Sequence, residues 1–91
     1  MTDIELKALN CLKDIKIFSS VRHLTTFQCD RTAKNGTIQK VTVEILDNGP
    51  GCSVNRYHVL AKLGDEKKAS GNSMNDLDVA IKMVHWGDLD K

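Results

Sequence analysis

The sequence predicts an α+β fold, a four-stranded antiparallel sheet with an N-terminal and a C-terminal helix packed on one face, in the order α-β-β-β-β-α. Three observations carry this. Apolar residues recur at helical spacing over 3–15 and again over 74–86. From residue 21 onward the period drops to two, in sequence rich in β-branched residues. The alternating runs are joined by short turn-like stretches, and hairpins need no helical crossover, so a meander covered on one face is the simplest packing.

The first helix is predicted over residues 3–15. Ile4, Ala8, Cys11, Leu12 and Ile15 form an apolar stripe, widened by Leu6 and Leu9. Thr2 followed by Glu5 is a capping box: the hydroxyl accepts from the Glu5 N–H while the carboxylate accepts from the Thr2 N–H. A strand begins near residue 21, with His23, Thr25, Phe27 and Cys29 alternating against Leu24, Thr26 and Gln28. Residues 32–36 form a loop closed by Asn35-Gly36, a strong hairpin signal. Residues 38–46 are the clearest strand, with Val41, Val43 and Ile45 on one side and Lys40, Thr42 and Glu44 on the other.

Residues 47–51, Asp-Asn-Gly-Pro-Gly, break the pattern. Alternation resumes over 54–63, placing Tyr57, Val59, Ala61 and Leu63 on one face and Arg56, His58, Leu60 and Lys62 on the other. Gly64-Asp65 turns into a short strand, 66–70, whose Lys67 and Lys68 suit an edge. The last helix, 74–86, has Ser73 as its cap, an apolar stripe of Met74, Leu77, Ile81 and Val84, and Gly87 as its stop. The predicted core is Ile4, Leu12, Val41, Val43, Ile45, Tyr57, Val59, Ala61, Leu77, Ile81 and Val84.

With 91 residues the chain makes one domain, residues 1–91, with 87–91 expected to fray. Hydrophobic residues are 41% and charged ones 27%, a balance that argues against a disordered chain. No apolar run approaches the ~20 residues that span a bilayer, so no membrane association is expected. The start lacks a secretory signal, and three widely spaced cysteines, Cys11, Cys29 and Cys52, read as free thiols, so the expected location is cytoplasmic. The net charge is +1, but residues 16–68 carry +4 and both ends are acidic.

Chemical signatures are sparse. Zinc sites present ligands in closely spaced pairs, and here no two Cys or His lie closer than Cys52 and His58. A set drawn from His23, Cys29 and His58 would have to assemble in space, so no metal and no cofactor are expected. Cys52 and His58 would lie about 20 Å apart on an extended strand, too far for a nucleophile and its base. Gly49-Pro50-Gly51 lacks the Lys and helix start of a phosphate loop. Gly71-Asn72-Ser73 precedes a helix, but Asp76 and Asp78 already supply negative charge there. Trp86 reads as a cap on the core whose indole N–H needs a partner.

Over about forty C-terminal residues the chain loosely resembles the double-stranded RNA-binding domain. Gly49-Pro50 precedes the strand holding Tyr57 and Val59, and Gly71 and Ser73 precede the helix holding Ala80. The resemblance implies topology only. Where that family places phosphate-gripping lysines, this chain has Met74-Asn75-Asp76-Leu77-Asp78, and it has one strand more.

The expected function is therefore a small non-catalytic protein-interaction module with a protein partner. Its candidate binding surface is the open sheet face: Lys40, Arg56, His58, Leu60 and Lys62. The alternative is a weak nucleic-acid binder using the same basic strip, which Glu44 interrupts and aromatic residues do little to support. An enzyme built on Cys52 ranks third.

Overall fold

The computed structural model describes residues 1–52 and 54–90. Ser53, between the break at 47–51 and the strand expected from 54, and Lys91 of the expected tail lie outside the described residues. The elements are α1 (Asp3–Lys13), β1 (His23–Thr32), β2 (Ile38–Asp47), β3 (Tyr57–Leu63), β4 (Lys67–Ser70) and α2 (Leu77–Lys82), followed by a 3₁₀ segment, Trp86–Asp90. The four strands form one open sheet in chain order, antiparallel throughout.

Local chemistry sets these elements. The Thr2 capping box is formed, with both reciprocal hydrogen bonds in place, at 3.0 Å and 3.1 Å. The Asn35-Gly36 turn closes β1 onto β2: the Thr37 N–H donates to Asn35 Oδ1, and the Ala33 N–H donates to the Thr37 carbonyl. Register follows from burial. Val41 and Val43 pair with Cys29 and Phe27 on one side, Val43 and Ile45 with Ala61 and Val59 on the other, and Ala61 with Ala69. A shift of one residue would turn the buried Val41, Val43, Val59, Ala61 and Ala69 to water. Ala80, Val84 and Leu89 close the core over this inner face.

Three expectations change. The last helix is short. Met74 forms an antiparallel bridge with Tyr57 and continues the sheet, so the cap is Asp76, whose carboxylate accepts from the Asp78 N–H at 2.9 Å, in place of Ser73. The helix then ends at Met83, ahead of Gly87, where the chain docks on β4 and the His85 N–H donates to the Ser70 carbonyl at 3.1 Å. Residues 86–90 form the 3₁₀ segment. Leu89 is 2% exposed, and Arg31 holds the segment through the Leu89 carbonyl at 3.2 Å and Asp90 at 2.9 Å.

The third change concerns α1. Ile4 is 82% exposed and Leu12 is exposed too, so neither belongs to the core; Leu9 is the buried residue of this helix, at 3%. Leu77 is half-buried and lines a groove, and Ile81 packs on the edge of the core.

Candidate functional site

Helix α1 is attached to the sheet by one row of side chains at i, i+4 and i+8. The Glu5 carboxylate meets the His23 Nε2 at the start of β1. Leu9 packs against Gly49, where a Cβ would lie 2.8 Å from Leu9 Cδ2. Lys13 Nζ donates to the Asn48 carbonyl at 2.5 Å. Residues spaced by four share a face, so this row points at the body of the protein. The apolar residues Ile4, Ala8, Cys11 and Leu12 of the helix are left exposed, and beyond its end Ile15, Ile17 and Phe18 are exposed too. Monomeric proteins seldom display contiguous apolar surface of this sort without a partner for it.

Between α1 and α2 the inner face is incompletely covered. A groove of about 380 Å³ opens there, with Phe27, Ile45 and Tyr57 among its lining residues and charges at its rim. Phe27 is 51% exposed. At the rim, Arg56 grips Asp47 in a fork, Nε to Oδ1 at 2.7 Å and Nη2 to Oδ2 at 3.0 Å, and the Gly49 N–H donates to the same carboxylate at 2.8 Å. Burial pushes the Asp47 carboxyl up, but the Arg56 hydrogen bonds, the Gly49 N–H and the positive charges of Arg56 and His23 outweigh it and hold it below its ordinary value. The Thr2 N–H and hydroxyl, with His23, hold Glu5 low as well, against a raising effect of burial.

The predicted strip on the outer face is only partly assembled. Lys40, His58, Leu60 and Lys62 do share that face, by the pairings of Thr42 with Lys62, Glu44 with Leu60 and Leu46 with His58. Arg56 does not. Asn55 adopts a left-handed conformation, φ 57°, and β3 starts only at Tyr57, so alternation does not reach back to Arg56. Its guanidinium folds to the inner side, 4.8 Å above the Tyr57 ring. Lys62 is paired with Glu44 at 2.5 Å, and the His58 ring lies 3.3 Å from the Ser73 hydroxyl. Lys68, opposite Lys62 on the edge strand β4, adds a cation to this face.

The remaining candidates do not converge. His23 and Cys29 lie on the inner face of β1 and His58 on the outer face of β3, so the sheet separates them. The Cys52 thiol donates to the Val54 carbonyl at 2.9 Å, away from His58. The Trp86 indole N–H donates to the Ile81 carbonyl at 3.2 Å, and the ring is partly exposed. Among the described residues, no helix is long and apolar enough to cross a membrane.

The exposed α1 stripe was missed because the apolar residues of 3–15 nearly encircle the helix. The Glu5–Leu9–Lys13 row was the available signal. Compared with models of known protein families, with curated proteins and with solved structures, the chain matches none.

Proposed function

We propose that this chain is a non-catalytic protein-interaction domain that presents α1 as an amphipathic ligand to a groove on a partner protein. One observation carries the reading: the helix is held to the start of β1 and the loop after β2 by Glu5, Leu9 and Lys13, while Ile4, Ala8, Cys11 and Leu12 are exposed. Its apolar residues at i, i+4, i+7 and i+8, Ile4, Ala8, Cys11 and Leu12, have the spacing by which helices seat in grooves. The helix arrives capped and anchored, so little ordering entropy is lost on binding.

The test is photo-crosslinking in cells from a photoreactive residue at Ala8, in the middle of the stripe. A discrete adduct with another protein is expected. Ile4→Glu and Leu12→Glu should abolish it while leaving the circular dichroism spectrum unchanged, because both side chains are exposed. Absence of any adduct, together with nucleic-acid binding lost on replacing Lys40 and Lys62 by alanine, would instead place the function on the outer sheet face.

A further inference from the structure

A second surface, separate from the α1 stripe, is the free edge of β1. With ten residues β1 is one of the two longest strands, and it is the sheet's first strand, so only β2 pairs with it. Five consecutive residues, Thr26, Phe27, Gln28, Cys29 and Asp30, are exposed, so neither face of this stretch is covered. Natural edge strands are usually short, charged or covered. Residues 24–29 carry no charge, no proline and no glycine.

We propose that β1 pairs antiparallel with β1 of a second copy of this chain, about a twofold axis at Thr26, to make one continuous eight-stranded sheet. Backbone polarity permits it. The Ala33 N–H donates toward β2, and alternation along the strand then turns the N–H and C=O groups of Leu24, Thr26, Gln28 and Asp30 outward. With Thr26 opposite Thr26 of the other copy, these outward groups face each other.

Charge selects the register. With Thr26 on the axis and the pairing continued one residue ahead of β1, Arg22 of each copy stands opposite Asp30 of the other, giving two opposite-charge pairs on the outer face. Neither Arg22 nor Asp30 makes an ion pair among the described residues. The other pairs in this register are His23 with Cys29, Leu24 with Gln28 and Thr25 with Phe27, with no like charges opposed. Moving the axis to Phe27 sets His23 against Arg31 and Leu24 against Asp30. Moving it to Thr25 leaves Arg22 opposite Gln28 and sets Asp30 against the uncharged Ser20, so the charge pairing is lost. Pairing across Thr26 also places Phe27 beside the other copy's Thr25, covering an aromatic ring that the monomer leaves half in water.

Sedimentation equilibrium of the whole chain tests this. The expected species has twice the 10.1 kDa chain mass. Arg22→Asp or Asp30→Arg alone places like charges opposite each other twice and should weaken the dimer about tenfold or more. The two reversals combined in one chain restore the pairing and should return affinity to within about threefold of the wild type. A wild-type chain that stays monomeric up to about 1 mM, where even a weak dimer would be populated, overturns the proposal. So does a dimer that neither single reversal weakens, or one that the combined variant fails to rescue. A monomeric chain that still crosslinks from position 8 sinks the dimer and leaves the role of α1 standing.

Discussion

A methyl group added at residue 71 has nowhere to go. A Cβ there would lie 2.4 Å from the Met83 carbonyl oxygen and 2.8 Å from its carbon, and both belong to backbone. Gly71→Ala must therefore push α2 away from β4, and a urea titration should show a loss of about 1–3 kcal/mol, as for an overpacked core. Gly49 is different. Its φ is +101°, and the obstructing atom is a side-chain methyl of Leu9, which can move. Asp47 is the buried polar residue that organises the same corner. Its folded pKa lies below the ordinary 3.8, so the stability it contributes is present above that value and is lost as pH falls through the lowered folded value. Asp47→Asn should cost about 1–3 kcal/mol at neutral pH, because Arg56 and the Gly49 N–H lose a charged acceptor. It should also flatten the acid limb of stability below about pH 4, measured by thermal melts across pH. The break at 47–51 was legible in the sequence from its glycines and proline. That the carboxylate of Asp47 would draw Arg56 off the outer face was not, because alternation fixes sides only within a strand and Asn55 interrupts it.

At the scale of elements, the strands were readable for a specific reason. On β2 the valines and Ile45 alternate with Thr42 and Glu44, and only one register buries them. The helices lacked that constraint. In α1 the apolar residues surround so much of the circumference that periodicity names no single face, and the docking row is largely polar. In α2 the helical pattern over 74–86 is overridden at both ends by backbone pairing, Met74 to Tyr57 and His85 to Ser70, which spacing alone does not reveal. The α1 attachment makes a sharp prediction. Leu9 is its one buried apolar contact, so Leu9→Ala should cost about 2 kcal/mol, the lower end for a large-to-small change. Hydrogen exchange should locate the effect: α1 amides exchange faster, while those of β2 and β3 keep their protection, since the main core does not include Leu9.

The whole molecule is elongated, 49 × 23 × 20 Å, because ten-residue strands run past a four-residue β4 and α1 sits beyond the helices that close the core. That shape keeps three ion-paired cations in separate places. Arg31 binds Asp90 at one end, Arg56 binds Asp47 at the other, and Lys62 binds Glu44 on the outer face. Each is neutralised by a neighbouring carboxylate, and the net charge of +1 supplies no long-range attraction. On β2, β3 and β4 the outer face keeps Lys40 and Lys68 as its exposed cations, too few for a firm grip on a phosphate backbone. Each phosphate neutralised on duplex DNA contributes about −0.9 to the slope of log affinity against log salt. Two exposed lysines therefore give a slope near −2 at most, and the dissociation constant should be ~10⁻⁴ M or weaker at physiological salt, as for non-specific contact. Fluorescence anisotropy of a labelled duplex, titrated at several salt concentrations, measures both quantities. A micromolar complex with a slope steeper than about −3, made shallower by Lys40→Ala, would mean that the ion pairs on this sheet open to admit phosphates. With Glu44 and Asp47 held against their basic partners, and acidic residues at both ends of the chain, the expected result is that they stay closed.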